Sequence, residues 1–205
     1  MPTPNTHHAS TQTTLSPEQY LSLPARQKLR AHAKAEAYRL DSRRAWTDHL
    51  IVEIMLGSGL RSQEVCDLTL ADLPWTHRTF ALYVRCGKKG KARTVDLNSR
   101  VAGLICRYIR RFRPGAGNSE PLFVGCHGTK LRYHVLYDKI RRLGLQVGLQ
   151  IHPHMLRHSF AVWLYSIEHD ILNVQKQLGH SNLDDTMIYA RTDSEASRRQ
   201  AAAMQ

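Results

Sequence analysis

Residues 46–56 are apolar on nearly every helical face, interrupted only by Thr47, Asp48, His49 and Glu53. A surface helix carries one apolar stripe, whereas a helix apolar all round has to lie inside a domain with other elements packed against it. The pattern therefore predicts a core helix ending at Gly57, with Gly59 keeping the following turn tight. A chain of 205 residues, 42% hydrophobic and 22% charged, is long enough to surround such a helix.

The rest of the chain reads as mainly helical. Residues 1–14 are polar and Thr-rich, lack the apolar surface that offsets chain entropy, and are expected to be disordered. Ser16 as N-cap, Pro17 and Glu18 predict a short helix there, and residues 24–60 hold two helical stretches, the second being the core helix. Residues 61–70 place Val65 and Leu68 on one side and Arg61 and Glu64 one turn apart, which suits a short helix with a polar edge toward a cleft. Residues 79–86 and 93–97 flank a Gly-Lys-rich turn and predict a β-hairpin. Helical periodicity returns over 97–113, a loop follows at 113–118, and 121–124 form a short strand candidate. Residues 133–147 predict a basic amphipathic helix, and another helix follows over 155–165. Asp170 caps a helix stopped at Gly179, and a capping box from Ser181 to Asp184 opens a last helix carrying Met187, Ile188 and Tyr189. Residues 192–205 are polar and then Ala-rich, a tail expected to become helical only against a partner surface, such as a neighbouring protomer. The fold class is α+β, mainly helical with a small antiparallel sheet.

Lys and Arg number 29 against 17 Asp and Glu, and the resulting charge of +12 is spread along the chain. A polyanion is the expected partner. No apolar run approaches the ~18 residues of a membrane helix, and residues 1–14 lack the apolar core of a signal peptide. The expected address is cytoplasmic, associated with the nucleoid. Cys66, Cys86, Cys106 and Cys126 are evenly spaced, but their neighbours share nothing and no Cys-x-x-Cys pair occurs. Zinc ribbons and disulfide scaffolds lose their support, and reduced thiols, most of them buried, are expected. His7 and His8 read as tail composition rather than as metal ligands.

Three motifs carry chemistry: Gly59-Leu-Arg-Ser-Gln-Glu64, His154-Met-Leu-Arg-His158, and Leu178-Gly179-His180 followed by Tyr189 in Ile-Tyr-Ala, with Gly87-Lys88 between the first two. Each alone is ordinary: a solvated ion pair, a surface histidine, a half-buried aromatic, a basic turn. Their fixed order closely resembles the catalytic domain of tyrosine recombinases, the lambda integrase family, over residues 15–191. Leu15-Ser-Pro-Glu18, Pro121-Leu-Phe123 and Ser181 after His180 extend the resemblance.

The resemblance implies a site-specific DNA recombinase, of integrase or invertase type, that cuts and rejoins strands through a 3′-phosphotyrosyl intermediate. It matches Arg61, Lys88, His154, Arg157, His180 and Tyr189 to the family's catalytic positions, with Glu64 as a supporting carboxylate. The residue types suit that chemistry. A tyrosine can store the phosphodiester bond energy as an ester. Guanidinium forks stabilise charge on the non-bridging phosphate oxygens without titrating. Lys88 on the hairpin is the expected proton donor to the departing 5′ oxygen. His154 is assigned as base-like and His180 as phosphate-stabilising, both by resemblance, and His158 as packing. Lys89, Lys91 and Arg93 are expected to contact phosphate beside Lys88, and Lys139, Arg141 and Arg142 to form a DNA-facing surface. The chemistry requires no metal or other cofactor. The expected partners are double-stranded DNA and a homo-tetramer on paired sites. The resemblance leaves only about 14 residues ahead of the catalytic region in place of the family's N-terminal DNA clamp of on the order of a hundred residues, and the +12 charge, tetramer assembly on DNA or an accessory protein are the alternative ways to compensate for it. Two rivals share parts of this reading: a type IB topoisomerase-like strand nicker, and a non-catalytic DNA-binding regulator that keeps the fold.

Overall fold

Every residue of α2 (Arg43–Ser58) from Ala45 to Ser58 is buried in the computed structural model, which describes residues 14–73, 80–85, 92–125 and 128–202. α1 (Leu23–Leu40), α4 (Ser99–Phe112) and α6 (Pro153–Glu168) pack around it, joined by α3 (Ser62–Asp67) and α5 (Tyr133–Gln146). The apolar run thus takes the interior position its composition demands.

The polar residues that interrupt the run are buried as well, and neighbouring elements answer Thr47, Asp48 and Glu53. Thr47 Oγ1 lies 2.9 Å from the Tyr108 hydroxyl of α4. Asp48 is paired with Lys139 and Arg142 of α5. Glu53 is paired with Arg30 of α1 at 3.3 Å and with Arg100 of α4 at 2.6 Å. A buried charge is tolerated only when paired, so these contacts fix how α1, α4 and α5 sit on α2. Burial lowers the pKa of His49, which keeps its imidazole neutral inside the same helix.

α2 does not end at Gly57. It runs to Ser58, whose hydroxyl bonds back to the Ile54 carbonyl at 2.6 Å, and stops at Gly59 in the left-handed conformation (φ +64°). A Cβ on Gly59 would lie 2.3 Å from the Phe160 ring, so both backbone and space require glycine here.

Residues 16–18 form a single turn rather than a helix. The Gln19 amide donates to the Ser16 carbonyl at 2.9 Å and the Ser16 amide to Gln19 Oε1 at 2.8 Å. Leu15 and Leu21 on either side are both buried. The Leu15 amide donates to Thr192 Oγ1 at 2.9 Å and the Leu21 amide to Ser159 Oγ at 2.7 Å, so this segment is a strap across α6 and α8 (Asp184–Ala202). The helix start lies later, where Ser22 caps α1 and Pro24 occupies its first turn.

β1 (Ala81–Val84) and β2 (Arg93–Asp96) form the expected antiparallel pair, with Val84 opposite Arg93. The turn with Lys88, Lys89 and Lys91 lies outside the described residues, as do residues 1–13, Cys86 and Cys126. The expected strand at 121–124 is reduced to isolated bridges, Pro121 with Thr69 and Val124 with Lys130. α7 (Ile171–Leu178) starts at Asp170 and stops at Gly179 as expected. α8 begins at Asp184 rather than at Ser181, with the Asp184 amide bound to Asn182 Oδ1 at 3.1 Å. It then continues unbroken to Ala202, so the segment expected to need a partner surface is already helical within the chain. Cys66 is buried and Cys106 half-buried, both as free thiols. Among the described residues no helix is long and apolar enough to cross a membrane.

Gly59→Ala should destabilise the domain by at least ~2 kcal/mol, since a left-handed non-glycine backbone costs about 1–2 kcal/mol and overpacking against Phe160 adds to it. Urea unfolding of the two proteins measures the difference, and equal midpoints would refute the assignment.

Candidate active site

The site forms where the C-terminal ends of α2 and α7 meet α6. After Gly59 the chain reverses, and Arg61 becomes the residue preceding α3. Its amide donates to Glu64 Oε2 at 2.8 Å, the side-chain-to-backbone half of a capping box, and its Nη1 donates to Glu64 Oε1 at 3.0 Å. The same carboxylate is gripped from β2 by Arg93, whose Nη1 and Nη2 reach Oε1 and Oε2 at 2.7 and 2.9 Å. Arg93 Nε donates to the Gln177 carbonyl at 3.0 Å, which ties α3 and β2 to α7.

Arg93, expected at the DNA surface, is therefore folded inward, its side chain only 10% exposed. A fork-to-fork pair with a buried carboxylate occupies the guanidinium, and its charge serves the protein's interior. Gly179 makes room for it. A Cβ there would meet Arg93 Cδ at 2.8 Å.

Arg157 is 4% exposed on α6. Its Nη1 donates to the Gly59 carbonyl at 2.6 Å and its Nη2 to the Leu178 carbonyl at 2.9 Å. Both acceptors stand at helix C-termini, where backbone carbonyls lack intrahelical partners and the helix dipole is negative. Burial, with Arg61 nearby, lowers the Arg157 pKa to about 10, so the group is still a cation at neutral pH.

Tyr189 on α8 is 1% exposed, its ring packed in an apolar cluster with Phe160, Val174 and Leu178. Its hydroxyl lies 3.1 Å from His158 Nδ1. Burial raises its pKa, partly offset by the positive charge of Arg157 and Arg61, so the phenol is neutral and sits in the field of both arginines. His180 stacks on the Tyr189 ring at 6.2 Å between centroids, and its Nδ1 shares a hydrogen bond of 3.0 Å with Thr186 of α8. His154 is exposed at the start of α6 with its ring 6.4 Å from that of His152. Burial, His152, Arg157 and Arg61 together lower its pKa.

Of the expected site residues, Arg61, Glu64, His154, Arg157, His180 and Tyr189 come together here, whereas Lys88 lies outside the described residues. Lys139 and Arg142 are engaged with Asp48, and Arg141 is exposed on α5. Sequence reasoning placed His158 as packing. The signal that finds it is helical spacing, since His154, Arg157 and His158 stand at i, i+3 and i+4 and share one face of α6.

The arrangement gathers a buried cation in Arg157, a partly exposed one in Arg61, a neutral phenol and a flanking imidazole. Residues 25–196 match the phage integrase family. The chain belongs to that family. It is 35% identical over 152 residues to the tyrosine recombinase XerC of Neisseria gonorrhoeae, covering 71% of this chain and 47% of that protein. It is 36% identical over 147 residues to the tyrosine recombinase XerA of Pyrococcus horikoshii, covering 70% and 50%. The chain thus spans about half the length of these curated relatives. Among solved structures, the XerH site-specific recombinase bound to palindromic difH substrate, in its post-cleavage complex, aligns with TM-score 0.76 at 26% identity, over 89% of this chain and 52% of that one. The catalytic domain of bacteriophage HP1 integrase shares the fold with TM-score 0.60 at 22% identity, over 84% and 86%. The mainly helical fold with a small antiparallel sheet is the integrase catalytic fold.

Glu64 sets a measurable pH dependence in this family member. Burial pushes its pKa up, but the hydrogen bonds and charge of Arg93, the Arg61 amide and the charge of Arg157 outweigh burial and leave it below the ordinary 4.5. Its contribution is therefore complete above pH 4.5 and is lost as pH falls through the lowered value. Glu64→Gln should cost about 3 kcal/mol near neutrality, because it leaves buried Arg93 without a counter-charge. The gap between variant and wild type should close in acid. Urea titrations across pH check this, and a gap independent of pH would contradict it.

Proposed function

We propose that this chain is a site-specific DNA recombinase that breaks and rejoins strands through a 3′-phosphotyrosyl intermediate. The observation that carries the reading is Tyr189, a neutral buried phenol whose hydroxyl lies in the field of Arg61 and Arg157. A phosphodiester entering beside these guanidiniums has its non-bridging oxygens neutralised, and charge building up at phosphorus is stabilised by donors already in place. Attack by the Tyr189 oxygen then displaces the 5′ oxygen, and Lys88 supplies its proton. β2 begins at Arg93, which is bound to Glu64, so the hairpin strands end beside the site.

Double-stranded DNA is the substrate in this reading, supported by the +12 charge, by relatives named as tyrosine recombinases, and by the XerH site-specific recombinase solved with its difH substrate. Paired sites are exchanged within a homo-tetramer, with the end of α8 engaging a neighbouring protomer. Exposed Arg141 faces the duplex in this reading. Exchange is favoured over topoisomerase-like nicking because the relatives are tyrosine recombinases.

The test uses the chain and its Tyr189→Phe variant with labelled nicked duplexes drawn from DNA flanking its own gene. A labelled band at protein-plus-DNA mass on a denaturing gel, absent from the variant, is the expected result. Binding without any such band would favour the DNA-binding regulator. Relaxation of a plasmid lacking a target site would favour the strand nicker.

A further inference from the structure

The Tyr189 hydroxyl has a hydrogen-bond partner that no part of the reading above uses. His158 Nδ1 stands 3.1 Å from it, and the two rings are 5.9 Å apart. We propose that His158 is the base of the cleavage step, its Nδ1 taking the Tyr189 proton as the phenolic oxygen attacks phosphorus. The assignment rests on the recombinase reading and deepens it.

The step balances. The Tyr189 O–H bond breaks toward His158 Nδ1, the Tyr189 oxygen bonds to phosphorus, and the bond from phosphorus to the 5′ oxygen breaks as that oxygen takes a proton from Lys88. On rejoining, the 5′ hydroxyl returns its proton to Lys88 and attacks phosphorus. The imidazolium of His158 then protonates the departing Tyr189 oxygen.

Geometry favours His158 over the other histidines. Tyr189 is 1% exposed, so bulk water does not compete for its proton. His180 stacks on the ring of Tyr189, and its Nδ1 is taken up by the Thr186 hydroxyl. His154, base-like by resemblance, is exposed beside His152 and makes no hydrogen bond to Tyr189 among the described residues. His158 also follows Arg157 directly on α6, so proton acceptor and phosphate-binding cation are held on one rigid turn.

The electrostatics fit a base that is armed by its substrate. Burial lowers the His158 pKa to about 4, reinforced by His154, Arg157 and His152, which keeps the imidazole neutral with a lone pair at physiological pH. A phosphodiester beside Arg157 offsets that cation and raises the basicity of His158 when attack is possible. After transfer the imidazolium is a strong acid, which suits a step that has to run backwards to reseal the strand.

The test is single-turnover cleavage of the nicked duplex by wild type and His158→Asn across pH. Asparagine keeps an acceptor oxygen near the Nδ1 position, so a packing or hydrogen-bonding role survives while proton uptake does not. The variant should cleave roughly 100-fold to 10,000-fold more slowly and lose the acid limb of the wild-type pH profile. A duplex with sulfur in place of the scissile 5′ oxygen, whose leaving group needs no proton, should rescue Lys88→Ala but not His158→Asn. Cleavage by His158→Asn at the wild-type rate with an unchanged pH profile, or its rescue by the sulfur duplex, would overturn the proposal alone. A wild type that forms no covalent product overturns the recombinase reading and this proposal with it. Nitrogen-15 NMR of the free wild type gives a measurement independent of cleavage and of the variant's folding. An unprotonated Nδ1 that shifts in Tyr189→Phe is expected, and a protonated Nδ1 donating to the phenol sinks the assignment.

Discussion

The contact on which the rest of the site depends is the Arg157 guanidinium lodged between two helix C-termini. It donates to Gly59 at the end of α2 and to Leu178 at the end of α7, groups that a helix leaves without partners. Carbonyl dipoles satisfy its hydrogen bonds without cancelling its charge. A carboxylate in the same place would satisfy it equally well and leave little to offer a phosphate. Arg157 is thereby a structural joint and a cation with no carboxylate hydrogen-bonded to it among the described residues, and both of its acceptors exist because a glycine in the left-handed conformation ends each helix.

Glu64 plays the opposite part. It is held by the Arg93 guanidinium through two hydrogen bonds and by the Arg61 guanidinium through one, with a further bond from the Arg61 amide, so Arg93 absorbs most of its charge. Arg61 keeps a side chain that is 25% exposed and free to turn donors toward an incoming anion. The inward fold of Arg93 is thus what allows Glu64 to orient Arg61 without neutralising it. The surplus of positive charge across the whole chain has a local counterpart here, built from buried groups whose desolvation was met during folding.

The parts of this structure legible in sequence were those set by local pattern or by motif order. Residues 46–56 announce a buried helix because nothing else tolerates that composition, and Asp170 with Gly179 bracket α7 by capping chemistry alone. Ser16 and Ser22 carry similar cap signals, and only the burial of Leu15 and Leu21 decides between them, a tertiary fact invisible in the local pattern. Arg93 looked like one basic residue among several on a hairpin. Its partner Glu64 stands far away in sequence, and no periodicity links them. α8 looked weak past Tyr189 because its residues are polar, yet Thr192 on that helix receives the Leu15 amide and fastens it to the strap.

That strap bears on how the nucleophile is kept. Leu15 shares an apolar cluster with Tyr189 and bonds to Thr192, one turn further along the same helix. Burial holds the phenol neutral and away from water despite the cations beside it. In the proposed recombinase reading, what changes when a phosphodiester arrives is the charge balance. The anion meets Arg61 and Arg157, relieves the repulsion that keeps nearby imidazoles neutral, and lowers the cost of moving a proton off the phenol. Reactivity then follows the presence of a correctly seated phosphate, and water, which brings no such charge, gains nothing from the same groups.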